Sequence, residues 1–441
     1  MAQALSTYDT YLARFRALSE ERKSEPAWLR DLRRCAIERF SEIGLPTARR
    51  GNERWKYTDV RPIAEREFSA PVQDPGRLTA ATLRGLVPSE PDWTTLVFVD
   101  GRFAPALSTG DPGRVVAMTI ADAVQRRGAL VEQHLGRYAE FQDEGFIALN
   151  TALFGDGAFV HAPDGVAGKQ AVHLVYVSSE EGAEAQPRTL VFAGRESSLA
   201  LVESYVNTTA GPYLSNAVTE IVLAEGAQVQ HQQLVLPGEH GYQVASTRIQ
   251  QGRDSSFSSV SFARGAAIAR NDVESCLEGE GSATSLSGLY LTNGEEHVDN
   301  YINIDHAAPH TTSRLFYKGI LDGRSKAAFG GIVLVRPGAV KADAEQTDKN
   351  LLLSPDAEVN SKPSLEIYAD DVRCSHGATA GAVTEDAIFY MQSRGLDEET
   401  AMGFLVKGFA DEVIERVPLK AVRNFLDAQL AAALADGGDS R

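Results

Sequence analysis

Near the C-terminal end of this 441-residue chain, Asp370-Asp371-Val372-Arg373-Cys374-Ser375-His376-Gly377 sets a thiol and an imidazole two positions apart. On a β-strand that spacing aims both side chains at one face. A thiolate and an imidazole are soft-to-borderline ligands, suited to iron or zinc. Two ligands do not complete a site, and a buried structural pair is the plainer reading of these residues alone. A second neighbourhood lies upstream, where Glu295, Glu296, His297 and Asp299 precede Asp305, His306 and His310. Three histidines with several carboxylates are the makings of a nitrogen/oxygen metal site. The competing reading sets His297 and His306 on different coils of a β structure, each hydrogen-bonded to turn backbone. Pro309 argues against a helical face carrying His306 and His310 together.

Other chemistries lack their residues. The chain has no Gly-x-x-x-x-Gly-Lys-Ser/Thr loop to cradle phosphates, no Gly-x-Ser-x-Gly elbow and no His-Glu-x-x-His. Asp370 and Asp371 are adjacent, so on a strand they face opposite ways, unlike the paired carboxylates of a carbohydrate-cleaving β-helix. Cys35, Cys276 and Cys374 are the only cysteines. They are too few and too scattered for a disulfide framework or a four-thiolate site. Any cluster held here needs other ligand types, or a partner's. The formal charge of −17 argues against nucleic acid and offers nothing to an anionic membrane surface. No apolar run reaches the ~20 residues of a membrane helix. The charged N-terminus reads as an amphipathic helix and not a signal peptide, so the expected location is the cytoplasm.

Three zones must position these residues. Residues 1–150 read as mainly helical, with Tyr11, Leu12, Phe15 and Leu18 on one helix face and a second helix through Trp28, Leu29, Leu32, Ile37 and Phe40 that ends near Gly44. Within this zone Thr94–Val99 reads as a strand entering a turn. Residues 151–383 alternate short strand-like runs with turns and contain no helical pattern. The turns that open on Gly194, Gly226, Gly252, Gly279 and Gly323 are unevenly spaced, which argues against a regular repeat. Pattern alone leaves a β-solenoid and an antiparallel sandwich both open. Residues 384–441 are helical again, with Thr384 and Asp397 as N-caps, Gly395 as a stop and Pro418 opening a last helix.

Lys362 to Gly381, with Asp-Asp-Val-Arg-Cys-Ser-His-Gly-Ala-Thr at its centre, closely resembles the motif of the SufB/SufD family of iron–sulfur cluster assembly proteins. Glu385 to Leu396 and the N-terminal Asn52-Glu-Arg-Trp-Lys-Tyr-Thr-Asp59 extend the resemblance across nearly the whole chain. Two departures favour the SufD branch over the SufB branch. Ser375-His376-Gly377-Ala378-Thr379 replaces the SufB pattern Glu-His-Glu-Ala-Thr, and Gln346–Leu353 lacks the cysteine that SufB carries before an apolar triplet.

The resemblance implies a mainly β protein, with a right-handed parallel β-helix core flanked by helical N- and C-terminal regions. It implies a scaffold and not an enzyme, paired with SufB in a heterodimer and docked by the SufC ATPase of the SufBCD complex. A transient iron–sulfur cluster would be shared with SufB, with none tightly bound to the isolated chain. His376 matches the family's cluster-site histidine; Cys374 matches the motif with a less defined role. Phe389, Tyr390 and Arg394 fall in the region that would dock SufC. The isolated chain is open to self-pairing as a homodimer through the edge SufB would use. The remaining alternatives are the sibling scaffold SufB and a homo-oligomeric metal-binding β-helix protein built on His297, His306 and His310.

Overall fold

A computed structural model describes residues 2–49, 52–72, 78–111 and 113–438. Two long sheets face each other and form a parallel β-solenoid of about 8 coils, with helices at both ends. One sheet runs from Thr94–Val99 through Ala167–Ser178, Ser198–Asn207, Gln228–Leu236, Ser256–Arg264, Ala283–Thr292, Thr312–Leu321 and Asp343–Leu352 to Arg373–Ala382. The other runs from Ala158–Ala162 through Arg188–Ala193, Tyr213–Leu223, Gly238–Gln251, Ala266–Leu277, His297–His306 and Lys326–Val335 to Glu358–Ile367. Neighbours along both paths pair in parallel, which excludes the antiparallel sandwich.

The coils share a corner. Gly165, Glu196, Gly226, Asp254, Gly281, His310, Lys341 and Asp371 all have positive φ, and successive members are 27 to 31 positions apart. Backbone bonds stack these corners: Glu196 N–H donates to Glu225 O, Asp254 N–H to Glu280 O and His310 N–H to Val340 O, each at 2.9 Å. A repeat is therefore present where the turn glycines argued against a regular one, and glycine occupies only three of these eight corners. The corner also sets the phase of the strand that follows. The third residue after it faces inward in coil after coil: Leu199, Val229, Phe257, Thr284, Ser313 and Ala344 are all buried.

Leu174, Leu201, Val229, Phe257, Leu286, Leu315 and Phe329 fill the solenoid interior. The outer faces are covered as well. Helices Ala27–Ile43 and Gly145–Leu153 pack Ile37, Phe40, Ile147 and Leu149 at the N-terminal end, and the first of these stops at Gly44, as expected. Thr94–Val99 belongs to the solenoid sheet although it lies among the N-terminal helices. Its alternation explains this: Leu96 and Phe98 enter the solenoid core, while Val97 and Val99 pack under Leu83 and Val87.

Helices Glu398–Ile414 and Lys420–Gly438 lay Val406, Ala410, Val413, Leu426 and Leu430 against Leu234, Phe262, Leu289 and Ile320 of the outer sheet face. Thr384 and Asp397 cap their helices as expected, accepting from Ala387 N–H and Thr400 N–H. Pro418 does not open the last helix, which starts at Lys420; the preceding turn is held instead by Arg423, whose guanidinium donates to Val417 O at 2.7 Å. Among the described residues, no helix is long and apolar enough to cross a membrane.

Candidate functional site

The solenoid ends on two strands, Glu358–Ile367 and Arg373–Ala382, each the last member of its sheet. Each is ten residues long and pairs along one edge only. Cys374 and His376 stand third and fifth after the corner at Asp371, in the inward phase. The register agrees: Cys374 pairs with Ala344, His376 with Gln346 and Ala378 with Asp348, and those three partners are buried inside the solenoid. The two candidate ligands thus share a face, as their spacing predicts. Their surroundings differ. Cys374 is half-buried against the interior cluster, and burial raises its thiol pKa. His376 is exposed, because no further coil lies above it.

Behind this rim the interior turns polar. Asp348 is 0% exposed; its Oδ2 accepts from Ser361 Oγ at 2.6 Å and from Asn350 Nδ2 at 2.8 Å. Asn350 in turn accepts from the Tyr290 hydroxyl. Gln346 is 1% exposed and donates through Nε2 to Gly331 O at 3.2 Å. Burial without a neighbouring cation lifts the Asp348 carboxyl to about 6. Sequence reasoning passed over Gln346, Asp348 and Asn350. The available signal was their spacing of two on a strand whose corner, Lys341, fixes which phase points in.

The second histidine neighbourhood does not assemble. His297 and His306 lie on one strand, His297–His306, and not on different coils. They occupy its two ends, roughly 30 Å apart at about 3.3 Å per residue. His297 Nε2 meets Thr58 Oγ1 at 2.9 Å; His306 is buried between Thr311 Oγ1 (2.7 Å) and Ser313 Oγ (2.8 Å). Their partners are side-chain hydroxyls, not turn backbone. His310 is a corner residue with φ 58°. The carboxylates are engaged too, Asp299 by Arg270 and Asp305 by Arg336. Among the described residues, no three His, Cys, Asp or Glu side chains converge to hold a metal. Asp371 likewise is a corner residue, paired with Lys341.

Phe389 and Tyr390 lie on helix Glu385–Gln392 and are 71% and 60% exposed. Arg394 sits over the Tyr390 ring at 5.2 Å and donates to its hydroxyl at 3.2 Å. The aromatic pair therefore does not pack against the solenoid end. Phe404 on the next helix is also exposed.

Residues 175–409 match the family described as "SUF system FeS cluster assembly, SufBD core domain", and residues 4–174 match "SufBD protein N-terminal region". The chain belongs to the SufB/SufD family. The core match spans most of the solenoid and runs into the C-terminal helices. An iron–sulfur cluster assembly SufBD family protein of Synechocystis is 30% identical over 415 residues, covering 91% of this chain and 90% of the relative. Iron–sulfur cluster assembly protein SufD of Escherichia coli is 29% identical, covering 91% and 92%. The SufD protein of Bacillus subtilis is 26% identical, covering 96% and 97%.

Within the SufBD N-terminal region, the Asn52–Asp59 motif has a clear structural part. Arg54 pairs with Asp272 at 2.6 Å, with Glu144 at 2.9 Å and with Glu274 at 2.7 Å. Trp55 is buried beside Phe146, and Thr58 donates to Asp299. The motif clamps the N-terminal region to the outer face of the SufBD core.

Proposed function

We propose that this SufB/SufD family member is a non-catalytic scaffold subunit of the SufD type. It pairs with a SufB-like subunit, docks a SufC-like ATPase that carries the nucleotide chemistry, and works in the cytoplasm within a SufBCD-type complex. One observation carries the reading: the rim that bears inward-facing Cys374 and His376 is bounded by two strands with open edges. Unpaired strand edges invite a partner's strands, because each unbonded amide and carbonyl gains a mate. The same contact would bring the ligands that this chain lacks.

His376 offers an exposed imidazole to a nascent iron–sulfur cluster, which is cargo shared across the seam and held transiently. Cys374 plays a lesser part, since its half-buried thiol must lose a proton to bind. Without SufB, the same rim is open to a second copy of this chain. Phe389, Tyr390 and Arg394 form part of the SufC-docking surface, supported by the exposure of both rings and the outward lie of their helix.

The test is co-expression with SufB-like and SufC-like partners. His376→Ala is expected to leave the complex intact and abolish cluster formation. Normal cluster formation in an intact complex sinks the ligand role, and failure of the wild-type chain to co-purify with either partner sinks the scaffold assignment.

A further inference from the structure

Gln346 and Asp348 each keep one buried acceptor oxygen, Oε1 and Oδ1, without a hydrogen-bond partner. An unpaired buried acceptor costs about 1–3 kcal/mol, more when charged, so two on neighbouring inward positions call for an occupant. We infer that Gln346 Oε1 and Asp348 Oδ1, with the His376 imidazole on the adjacent strand, form a site for one divalent cation of the Fe2+ or Mn2+ class just inside the solenoid rim.

Four observations converge on this site. First, the two side chains stand two apart on one strand and face the same way, and His376 is directly opposite Gln346. Neighbouring strands lie about 4.8 Å apart, which brings the two positions within reach of a common ion. Second, both side chains are already anchored through their other polar atom, Asp348 by Ser361 and Asn350, Gln346 by Gly331 O. The bare oxygens are therefore held in place before any ion arrives. Third, small residues neighbour both side chains: the Gln346 amide packs where a Cβ at Gly331 would stand, and Ala378 is opposite Asp348. Fourth, among the described residues no Lys, Arg or His pairs with Asp348, so its buried charge lacks the compensation that buried carboxylates ordinarily have. A cation supplies it.

The donor set decides the class. One carboxylate oxygen, one amide oxygen and one imidazole suit Fe2+ or Mn2+, and lack the thiolates that Cu(I) prefers. Water or a partner's ligand completes the coordination. The inference deepens the cluster-site reading, since it sets an iron-binding position beside the same histidine, and it rests on that reading only for the role of His376.

The experiment uses the full chain, freed of metal and without partners, titrated with Mn2+ and followed by the loss of the free-ion electron paramagnetic resonance signal. One Mn2+ is expected per chain. Asp348→Asn, which keeps shape and removes the charge, should weaken binding by about tenfold or more. Gln346→Met should weaken it less, and Cys276→Ser, on the distant strand Ala266–Leu277, should leave it unchanged. Thermal unfolding of each variant confirms that it folds. Absence of stoichiometric binding at millimolar Mn2+ means the oxygens hold water only and overturns the inference, as does binding that survives Asp348→Asn. Failure here is distinguishable from failure of the scaffold reading, which is judged by cluster formation in the assembled complex.

Discussion

Arg270 lies over the face of Trp55, its guanidinium carbon 3.9 Å from the ring centroid, while its two terminal nitrogens bond Asp299 and Asp272. A residue of the SufBD N-terminal region is thus stacked on a fully buried arginine of the core strand Ala266–Leu277. Charge, ring and hydrogen bonds act on the same guanidinium, so removing the ring uncovers a buried ionic cluster. Trp55→Ala should cost about 3–5 kcal/mol. Thermal unfolding should show the drop, and limited proteolysis should newly cut the Asn52–Asp59 segment.

Gly319 sits where a side chain has no room. A Cβ there would meet the Tyr290 ring and the Asn350 amide oxygen, both buried. Gly319→Ala should therefore destabilise the chain by about 1–3 kcal/mol. Gly377, where an added methyl would meet nothing within 4 Å, is the control, and Gly377→Ala should leave stability nearly unchanged.

The Asp348 carboxyl titrates near 6 in the fold against 3.8 ordinarily, so the folded state holds its proton more tightly than the unfolded chain does. Above pH 6 the ionised group opposes folding by about 3 kcal/mol; the penalty fades as pH falls from 6 towards 4. Metal-free Asp348→Asn should be the more stable protein at pH 7.5, and its advantage should disappear near pH 4. Urea unfolding at both pH values measures this.

His173 and His306 titrate in the opposite sense. Burial lowers them to about 3 and about 4, so both are neutral in the fold while the unfolded chain takes up protons below pH 6.5. Each should remove stability at about 1.4 kcal/mol per pH unit as pH falls from 6.5 towards its folded value. His306→Gln should reduce the acid-limb slope by the equivalent of one proton.

Phe389→Asp combined with Tyr390→Asp should abolish co-purification with a SufC-like ATPase without lowering the unfolding temperature, because both rings are largely exposed. Deleting everything after Ala382 is a poorer test. It would also strip Val406, Val413 and Leu426 from the outer sheet face.

Much of this architecture was legible in the sequence, because helix caps and strand alternation are local signals. Thr384, Asp397 and Gly44 marked helix ends correctly through their own side-chain or backbone chemistry. Parallel pairing was not legible, since a strand such as Tyr213–Leu223 carries the same local β signals in a solenoid and a sandwich. The coil repeat was hidden because Glu196, Asp254, His310, Lys341 and Asp371 take the left-handed corner that glycine would have flagged. Stacked backbone bonds stabilise the corner there, and such bonds leave no mark on composition. Cys374 and His376 were readable as a same-face pair. Asp348 was not, because a buried acid breaks the hydrophobic pattern that identifies inward positions.

The corner that stacks from Gly165 to Asp371 has one more consequence. Since each strand takes its inward phase from the corner just before it, a residue gained or lost in one coil is not carried into the next. The coils differ in length by several residues, yet Cys374 keeps the same offset from Asp371 that Leu199 keeps from Glu196. The solenoid is in this sense an error-correcting ruler: insertions accumulated along it are cancelled corner by corner, and the aim of the rim residues is left intact.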